Sequence, residues 1–172
     1  MTVAAVVLAA GASTRYGRPK QRELLPVVLE RLERTAVDEI VVVEGAHGLP
    51  PELGSLCEPR SRVSLVHAED WALGPGASLR AGLAGLGSDV THAVVVLADG
   101  PNLDPRAVAR LLDRRDDAPL LAASYDGSRD HPVLIARRLW TAVPDEGARA
   151  LEPVLVDCSD LDPPGDLDRP EA

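Results

Sequence analysis

The loop that follows the first apolar run of the sequence carries the side chains best suited to bind phosphate groups. Residues 11–20 read GASTRYGRPK, with glycines at Gly11 and Gly17 and cations at Arg15 and Lys20. Backbone N–H groups at the start of a helix favour anions, and cations directed at the same point neutralise a polyphosphate. The glycine spacing is neither G-x-G-x-x-G nor that of a P-loop. The loop is therefore a candidate phosphate site of another kind, or else a solvated connection with incidental charges.

The use of lysine in this chain favours the phosphate site. Lys20 is the only lysine among the 18 basic residues, and all the others are arginines. A compact ammonium and a planar guanidinium are not interchangeable at a phosphate. A chain that otherwise uses arginine has kept an ammonium group in this loop. The alternative is codon bias that has left one lysine by chance.

A second chemical group follows the apolar strand predicted over His92–Leu97. In an open α/β sheet, ligands bind beyond the carboxyl ends of the strands, and Asp99 comes directly after this strand end. Mg²⁺ takes only one or two protein carboxylates and completes its octahedron with water and phosphate oxygens. Asp99 is therefore a candidate Mg²⁺ ligand. Its alternative role is that of a turn or cap residue before Pro101.

The order of the predicted elements indicates an α/β domain. Val3–Ala10 is apolar without alternation, which is typical of a parallel strand buried on both faces. Apolar spacing predicts a helix over residues 24–36, and Pro105 after a capping Asp104 predicts another that ends near Arg114. The other predicted elements are a helix at Ala77–Leu86 and strands at Glu39–Val43, Val63–His67, His92–Leu97, Pro119–Ser124, Pro132–Ala136 and Val154–Val156. Strands that alternate with helices predict a mostly parallel sheet.

Composition and charge exclude several classes of protein. Hydrophobic residues make up 45% and charged residues 26% of the 172 residues, which excludes a disordered or collagen-like chain. The net charge is −9 and there is no basic tract, so we expect neither nucleic-acid nor membrane binding. Cys57 and Cys158 lie far apart, which fits a reducing compartment, and we expect a cytoplasmic protein. The Asp- and Pro-rich tail after Asp157 is predicted to be irregular.

Residues 6–20 resemble a known signature. Their sequence, VVLAAGASTRYGRPK, is similar to the L-A-A-G-x-S-x-R-x-G-x-x-K motif of the MobA-like molybdenum cofactor nucleotidyltransferases. The A-A-G form resembles the cytidylyltransferase branch more than the guanylyltransferase branch, which usually has G-G. Five further segments resemble family motifs, namely residues 70–82 (W-x-x-G-x-x-x-S-L-x-x-G), 97–101 (L-A-D-Q-P), 131–134 (G-H-P-V-L), 145–151 (G-D-x-G-A-R) and 166–171 (D-I-D-T-P-E-D).

The resemblance implies a fold and a reaction. The fold is a Rossmann-like three-layer α/β fold with a mostly parallel central sheet, of the nucleotide-diphospho-sugar transferase type, in a single domain over residues 1–172. The reaction is the Mg²⁺-dependent transfer of a nucleoside monophosphate, CMP from CTP, to a phosphorylated acceptor such as molybdopterin cofactor, with release of pyrophosphate. A molybdoenzyme that receives the cofactor is the protein partner that the resemblance suggests.

The resemblance also assigns roles to individual residues. The catalytic residues are expected to be Arg15, Lys20 and Asp99, and the Mg²⁺ ligands Asp99 and Asp168. The expected nucleotide-binding residues are Ala9, Ala10, Gly11, Ser13, Arg15, Gly17, Lys20, Gly76 and Ser78. His131 and Arg149 are assigned to the acceptor. Without the resemblance, Asp168 is one of several aspartates in the tail, and His131 and Arg149 are surface residues.

The sequence departs from the family pattern mainly on the acceptor side. Gly100 stands where the family has Gln, Asp130 where it has Gly, and Arg169 where it has Thr, and the segment after the signature lysine is shortened. An aspartate at position 130 would repel a phosphorylated acceptor unless it is paired. Two alternatives therefore stay open. One is guanylyl or other nucleotidyl transfer to a different phosphate acceptor, and the other is a non-catalytic chaperone that holds molybdenum cofactor.

Overall fold

The structure is a computed structural model that describes residues 2–11, 20–46, 48–49 and 62–165, with the backbone alone at residues 20–22. Its strands form one seven-stranded sheet in the order β3-β2-β1-β4-β6-β5-β7. The strands are β1 Thr2–Ala9, β2 Glu39–Glu44, β3 Val63–His67, β4 Val90–Leu97, β5 Leu120–Tyr125, β6 Ser128–Ala136 and β7 Val154–Asp157. The α-helices are α1 Lys20–Glu33, α2 Pro75–Ala84 and α3 Pro105–Asp113. Short 3-10 helices cover Trp71–Leu73, Arg137–Ala142 and Ala148–Ala150.

The sheet is mostly parallel, as predicted. Strands β3, β2, β1 and β4 pair in parallel, and so do β5 and β7. Among the described strands, only β6 runs antiparallel, to β4 on one side and to β5 on the other. The chain thus builds a doubly covered parallel sheet and adds one reversed hairpin strand to it.

Two hydrophobic cores, one on each face of the sheet, give the fold its three layers. Strand β1 contributes to both, because Ala5 and Val7 pack into one core while Ala4 and Val6 pack into the other. Helices α1 and α3 cover the first face, and α2 covers the second together with Trp140. The continuous apolar run of β1 is therefore a strand buried on both faces, as its composition predicted.

The bounds of α1 differ from the prediction. The helix runs over Lys20–Glu33 and not over residues 24–36. It ends early because Arg34 and Thr35 donate backbone hydrogen bonds to carbonyls three residues back, and the Thr35 hydroxyl donates to the same Leu32 oxygen at 2.6 Å. The predicted apolar face is confirmed, with these side chains buried: Leu25, Val28, Leu29 and Leu32.

Strand β6 is longer than predicted, beginning at Ser128 and not at Pro132. Asp126 and Gly127 both have positive φ angles, 51° and 80°, and form the tight turn that starts the hairpin. Pro132 is tolerated inside the strand because the register between β5 and β6 shifts opposite it, between Ala122 and Ala123.

The segment after β7 has no regular secondary structure, as predicted for residues 158–165, yet it is packed against the domain. Cys158 and Leu161 are buried, and the backbone N–H of Asn102 donates to the Pro164 carbonyl at 3.0 Å. We call residues 158–165 the strap. Among the described residues, no helix is long and apolar enough to cross a bilayer.

Candidate functional site

The carboxyl ends of β1 and β4 lie side by side at one edge of the sheet. The two strands pair in register up to Leu8 and Leu97, and the N–H of Ala98 then donates to the Leu8 carbonyl at 3.1 Å. This bond carries the pairing into the turn that contains Asp99. The turn and the loop that begins at Gly11 therefore start from neighbouring points, as the rule for parallel sheets predicts.

A cavity of about 360 Å³ opens between these two strand ends and the start of α2. We call it the strand-end cavity, and its lining residues are Leu8, Ala10, Gly11, Trp71, Gly74, Pro75, Ser78, Leu97 and Asp99. It brings together four residues that the sequence assigned to nucleotide or metal, namely Ala10, Gly11, Ser78 and Asp99. Ala9 lies at the end of β1 and is buried.

Trp71 forms one wall of this cavity because two small residues leave room for it. A Cβ added at Gly45 would lie 2.7 Å from Trp71 Cβ and 2.8 Å from Ala10 Cβ. Glycine is therefore the residue that fits where the end of β2 meets Trp71. In the sequence, Trp71 stood out only as part of the segment at residues 70–82 that resembles a family motif. No local pattern predicted that Gly45 packs against it.

The start of α2 is fixed by a close approach to the loop at residues 144–145. A Cβ at Gly76 would lie 1.7 Å from the Pro144 carbonyl oxygen, and the Gly76 N–H donates to the Asp145 carbonyl at 2.9 Å. That N–H is therefore used within the protein, and the structure gives Gly76 a packing role. Its assignment as a nucleotide contact stays a prediction. Ser78, two residues on, is buried and reaches the cavity wall.

Asp99 is half-buried in the turn after β4 and contributes to the cavity lining. A single carboxylate in the lining of this cavity fits a Mg²⁺ ion that takes most of its ligands from water and phosphates. In the part of the chain that the structure describes, no group of three or more His, Cys, Asp or Glu residues could hold a metal by itself. The second predicted ligand, Asp168, lies outside the described residues.

The cationic part of the predicted phosphate loop is not covered by the structure. Ser13, Arg15 and Gly17 lie outside the described residues. Lys20 is described as the first residue of α1, without its side chain. The placement of its backbone at a helix start agrees with the expected strand-loop-helix arrangement, and the contacts of its ammonium group stay a prediction.

A second cavity, of about 310 Å³, adjoins the first and contains both residues assigned to the acceptor. We call it the hairpin cavity, and its lining residues are Leu8, Pro75, Leu79, Val95, Leu97, Arg129, Asp130, His131, Val133, Glu146, Gly147, Ala148 and Arg149. Leu8, Pro75 and Leu97 belong to both cavities. His131 and Arg149 thus line one depression, beside the cavity that contains Asp99, although they come from different parts of the chain.

Arg129, which the sequence analysis did not single out, holds the hairpin cavity together. Its guanidinium donates to the carbonyls of Ala148 and Leu151, both at 2.8 Å, and burial lowers its pKa. These bonds tie the segment that carries Arg149 to strand β6. The signal that could have identified Arg129 in the sequence is its position close to the H-P-V-L segment that resembles a family motif. The carbonyl groups to which it donates could not be predicted, because they depend on the tertiary fold.

Asp130 is paired with its own neighbour. The His131 N–H donates to Asp130 Oδ1 at 2.7 Å, and His131 Nδ1 lies 3.6 Å from the same oxygen. Hydrogen bonding from His131 lowers the pKa of Asp130, against the opposing effect of burial. The carboxylate therefore stays ionised at neutral pH, and it contributes a negative charge to a cavity that also contains Arg149 and Glu146.

Comparisons with known proteins identify the family of the chain. Residues 5–155 match the sequence profile of the MobA-like NTP transferase domain. Over 121 residues the chain is 37% identical to the bifunctional protein GlmU of Mycobacterium ulcerans (strain Agy99), covering 64% of this chain and 25% of GlmU. The chain therefore spans about a quarter of the length of the curated relatives that it matches.

Two solved structures share the fold over nearly the whole chain. The homolog of Rv0371c from Mycobacterium sp. strain JC1 has a TM-score of 0.73 at 25% identity, covering 97% of this chain and 90% of that one. Rv0371c of Mycobacterium tuberculosis H37Rv, solved in complex with manganese, has a TM-score of 0.66 at 23% identity, with coverages of 91% and 89%. Since the profile match over residues 5–155 includes both strand ends and both cavities, the chain belongs to the MobA-like NTP transferase domain family.

Proposed function

We propose that this protein is a Mg²⁺-dependent nucleotidyltransferase that transfers CMP from CTP to a phosphorylated small molecule of the molybdopterin-cofactor kind and releases pyrophosphate. The observation that supports this most directly is the shared lining of the strand-end cavity by Gly11 and Asp99. The start of the phosphate loop and a candidate metal ligand thereby meet at one point. The adjoining hairpin cavity offers room for the acceptor.

The reaction makes few demands on acid–base chemistry. An oxygen of the acceptor phosphate, already ionised at neutral pH, forms a bond to the α-phosphorus of the nucleotide. The bond from that phosphorus to the oxygen of the β-phosphate breaks, and pyrophosphate leaves with the electron pair. The task of the protein is to align the two phosphates and to stabilise negative charge. That task does not require a nucleophile–base pair.

Asp99 would hold the divalent cation, with Asp168 as the second proposed ligand. When bound, the cation neutralises charge on the phosphates of the nucleotide and of the leaving pyrophosphate. The relative Rv0371c, which was solved with manganese, supports the use of a divalent cation in this fold. The choice of Mg²⁺ rests on the preference of this ion for one or two carboxylates plus phosphate oxygens.

The other proposed roles follow the two cavities. Arg15 and Lys20 neutralise the triphosphate, and Ser78 contacts the nucleotide from α2. The triphosphate is surrounded by the remaining residues of the strand end and loop, namely Ala9, Ala10, Gly11, Ser13 and Gly17. His131 and Arg149 bind the acceptor from the hairpin cavity, which lies next to the strand-end cavity through Leu8 and Leu97. This contiguity allows the acceptor phosphate to approach the α-phosphate directly.

The choice of CTP is tested by a thermal-shift panel of CTP, GTP, ATP and UTP, each with and without Mg²⁺. We expect the largest Mg²⁺-dependent stabilisation with CTP, because of the A-A-G form of the first motif. A larger shift with GTP would assign guanylyl transfer instead. If no triphosphate stabilises the protein, the proposed function is wrong.

Turnover is tested by pyrophosphate release from the preferred nucleotide in the presence of phosphorylated acceptors, molybdopterin cofactor first. Steady release establishes the transferase. Cofactor binding without release would contradict it and would favour a chaperone that holds the cofactor, which the changed residues Gly100 and Asp130 made an alternative. A molybdoenzyme is the proposed protein partner in either case.

A further inference from the structure

A third cavity, of about 220 Å³, lies between the turn after β4 and the strap. We call it the strap cavity. Leu103 and Pro164 give it apolar walls, and Asp130 and His131 are its ionisable side chains. Asp130 and His131 also line the hairpin cavity, so the two spaces meet at these side chains.

The strap cavity is bordered by two of the positions at which this chain departs from the family motifs. Both Gly100 and Asp130 line it, although one follows β4 and the other lies in β6. A Cβ at Gly100 would lie 3.3 Å from Pro164 Cβ and 3.4 Å from the Gly165 carbonyl oxygen. A longer side chain at position 100 would therefore fill the cavity or displace the strap. The two departures together leave a space beside the strap and place a carboxylate in its lining.

The strap is held firmly enough to serve as a wall. Its Pro164 carbonyl accepts the Asn102 N–H at 3.0 Å, and the side chain of Leu161, also part of the strap, is buried. At its other end, Asp160 forms two hydrogen bonds with the Arg110 guanidinium, at 2.6 and 2.7 Å. The cavity is thus built from side chains and backbone that are fixed on both sides.

The hairpin cavity contains charges of both signs, and Asp130 is the acidic side chain that it shares with the strap cavity. Arg149 lies in the hairpin cavity only, whereas Asp130 lies where the two cavities meet. The Asp130 side chain is 44% exposed, and its Oδ1 accepts the His131 N–H. A carboxylate beside apolar walls favours a partner that donates a charge-assisted hydrogen bond. A ligand that spans both cavities would face Arg149 within the hairpin cavity and the Asp130 carboxylate where that cavity meets the strap cavity.

We propose that Asp130 and the strap cavity select the acceptor, and that the acceptor is a phosphate monoester with a protonated amine or similar cationic N–H donor on its other part. Its phosphate faces Arg149 and the strand-end cavity, its nitrogen donates to the Asp130 carboxylate, and its apolar part lies against Leu103 and Pro164. The inference rests on the proposed nucleotidyl transfer, and it takes up the alternative of a different phosphate acceptor, since a molybdopterin-type acceptor carries no protonated amine.

The test compares isosteric phosphate monoesters that differ only in the amine. Calorimetric titration without nucleotide measures the affinity of phosphoethanolamine against propyl phosphate, and of glucosamine 1-phosphate against glucose 1-phosphate. We expect the amine of each pair to bind roughly tenfold more tightly, the factor that corresponds to one charge-assisted hydrogen bond. Asp130→Asn, which keeps an acceptor for the His131 N–H, is expected to remove the preference.

Asp126→Asn is the matched control, since it removes the same charge from the exposed turn of the same hairpin. It should leave the preference unchanged. Gly100→Ala narrows the strap cavity. It is expected to weaken the binding of glucosamine 1-phosphate, the larger of the two amines, without affecting the binding of inorganic phosphate. Circular dichroism of each variant confirms that it is folded.

Three results would overturn the inference: equal affinity within each pair, a preference that survives Asp130→Asn, or no binding of either member at millimolar concentrations. The nucleotide panel separates this failure from failure of the proposed function. If CTP with Mg²⁺ stabilises the protein but the amines are not preferred, only the inference about the acceptor is wrong. If the amines are preferred but no nucleotide stabilises the protein, the proposed transferase function is wrong, and the cavity binds amines for another purpose.

Discussion

The backbone N–H of Ala98 donates to the carbonyl of Leu8 at 3.1 Å, and this hydrogen bond joins the two strand ends at the candidate site. It places the turn with Asp99 beside the loop that begins at Gly11. The position of Gly11 relative to the candidate metal ligand is therefore set by the register of two central strands buried on both faces. Central strands are the most rigid part of such a fold, which suits a site whose function is alignment.

Asp99→Asn is expected to abolish Mg²⁺-dependent pyrophosphate release and to leave the fold intact. The amide has nearly the same shape but no negative charge with which to bind the cation. Pyrophosphate release is measured over a range of Mg²⁺ concentrations, with Asp113→Asn as the control, because Asp113 is an exposed aspartate at the end of α3. An active Asp99→Asn protein would show that this carboxylate does not hold the metal.

Lys20→Ala and Arg15→Ala are each expected to lower turnover by roughly ten- to thousandfold, the range for removing one preorganised charge from a reacting centre. Lys20→Arg separates charge from shape. If the only lysine of the chain was kept for its compact ammonium, the arginine variant should recover only part of the rate. Full activity of the alanine variants would indicate that the loop is a solvated connection.

The central part of the fold could be predicted from local sequence because its signals are local. The apolar run of β1, the run that ends at Leu97 and the Asp104–Pro105 start of α3 each encode their own structure. Asp104 does cap α3, since it accepts the Arg106 N–H at 2.8 Å. Placing Asp99 at a strand end followed from the same reasoning. The full length of β6 could also have been found, because Asp126-Gly127 is a common hairpin turn.

The hairpin cavity could not be predicted in the same way. His131 and Arg149 were assigned to one ligand only through motif resemblance, and what holds them together is the guanidinium of Arg129 on the carbonyls of Ala148 and Leu151. Backbone carbonyls carry no sequence information, so no pattern shows these bonds. The packing of the strap on Gly100 could not be predicted from the sequence either, because it depends on the absence of a side chain at that position.

Gly76→Ala is expected to destabilise the protein by roughly 1–3 kcal/mol, the usual cost of forcing atoms into a packed site. The added Cβ would lie 1.7 Å from the Pro144 carbonyl oxygen, so α2 and the loop that carries Asp145 must separate. Urea unfolding measures the loss. Gly48→Ala is the control, because the nearest atom to its added Cβ is Glu44 Oε2, at 3.9 Å. Equal stability of the two variants would show that this close approach is not maintained in solution.

Asp160 links the strap to α3, and its contribution to stability should depend on pH. Both of its carboxylate oxygens accept hydrogen bonds from Arg110, at 2.6 and 2.7 Å, and this lowers its pKa from 3.8 to about 2. A carboxyl whose pKa is lower in the folded state than in the unfolded state stabilises the fold above its unfolded pKa, and loses that contribution as the pH falls through the folded value. Asp160→Asn should therefore lower the free energy of unfolding slightly at neutral pH, and the difference from the unmodified protein should shrink between about pH 4 and pH 2. Urea unfolding across this pH range measures the difference, with Asp162→Asn, an exposed aspartate on the same strap, as the control. A difference that stays constant over the range would mean that the ion pair does not hold the strap in place.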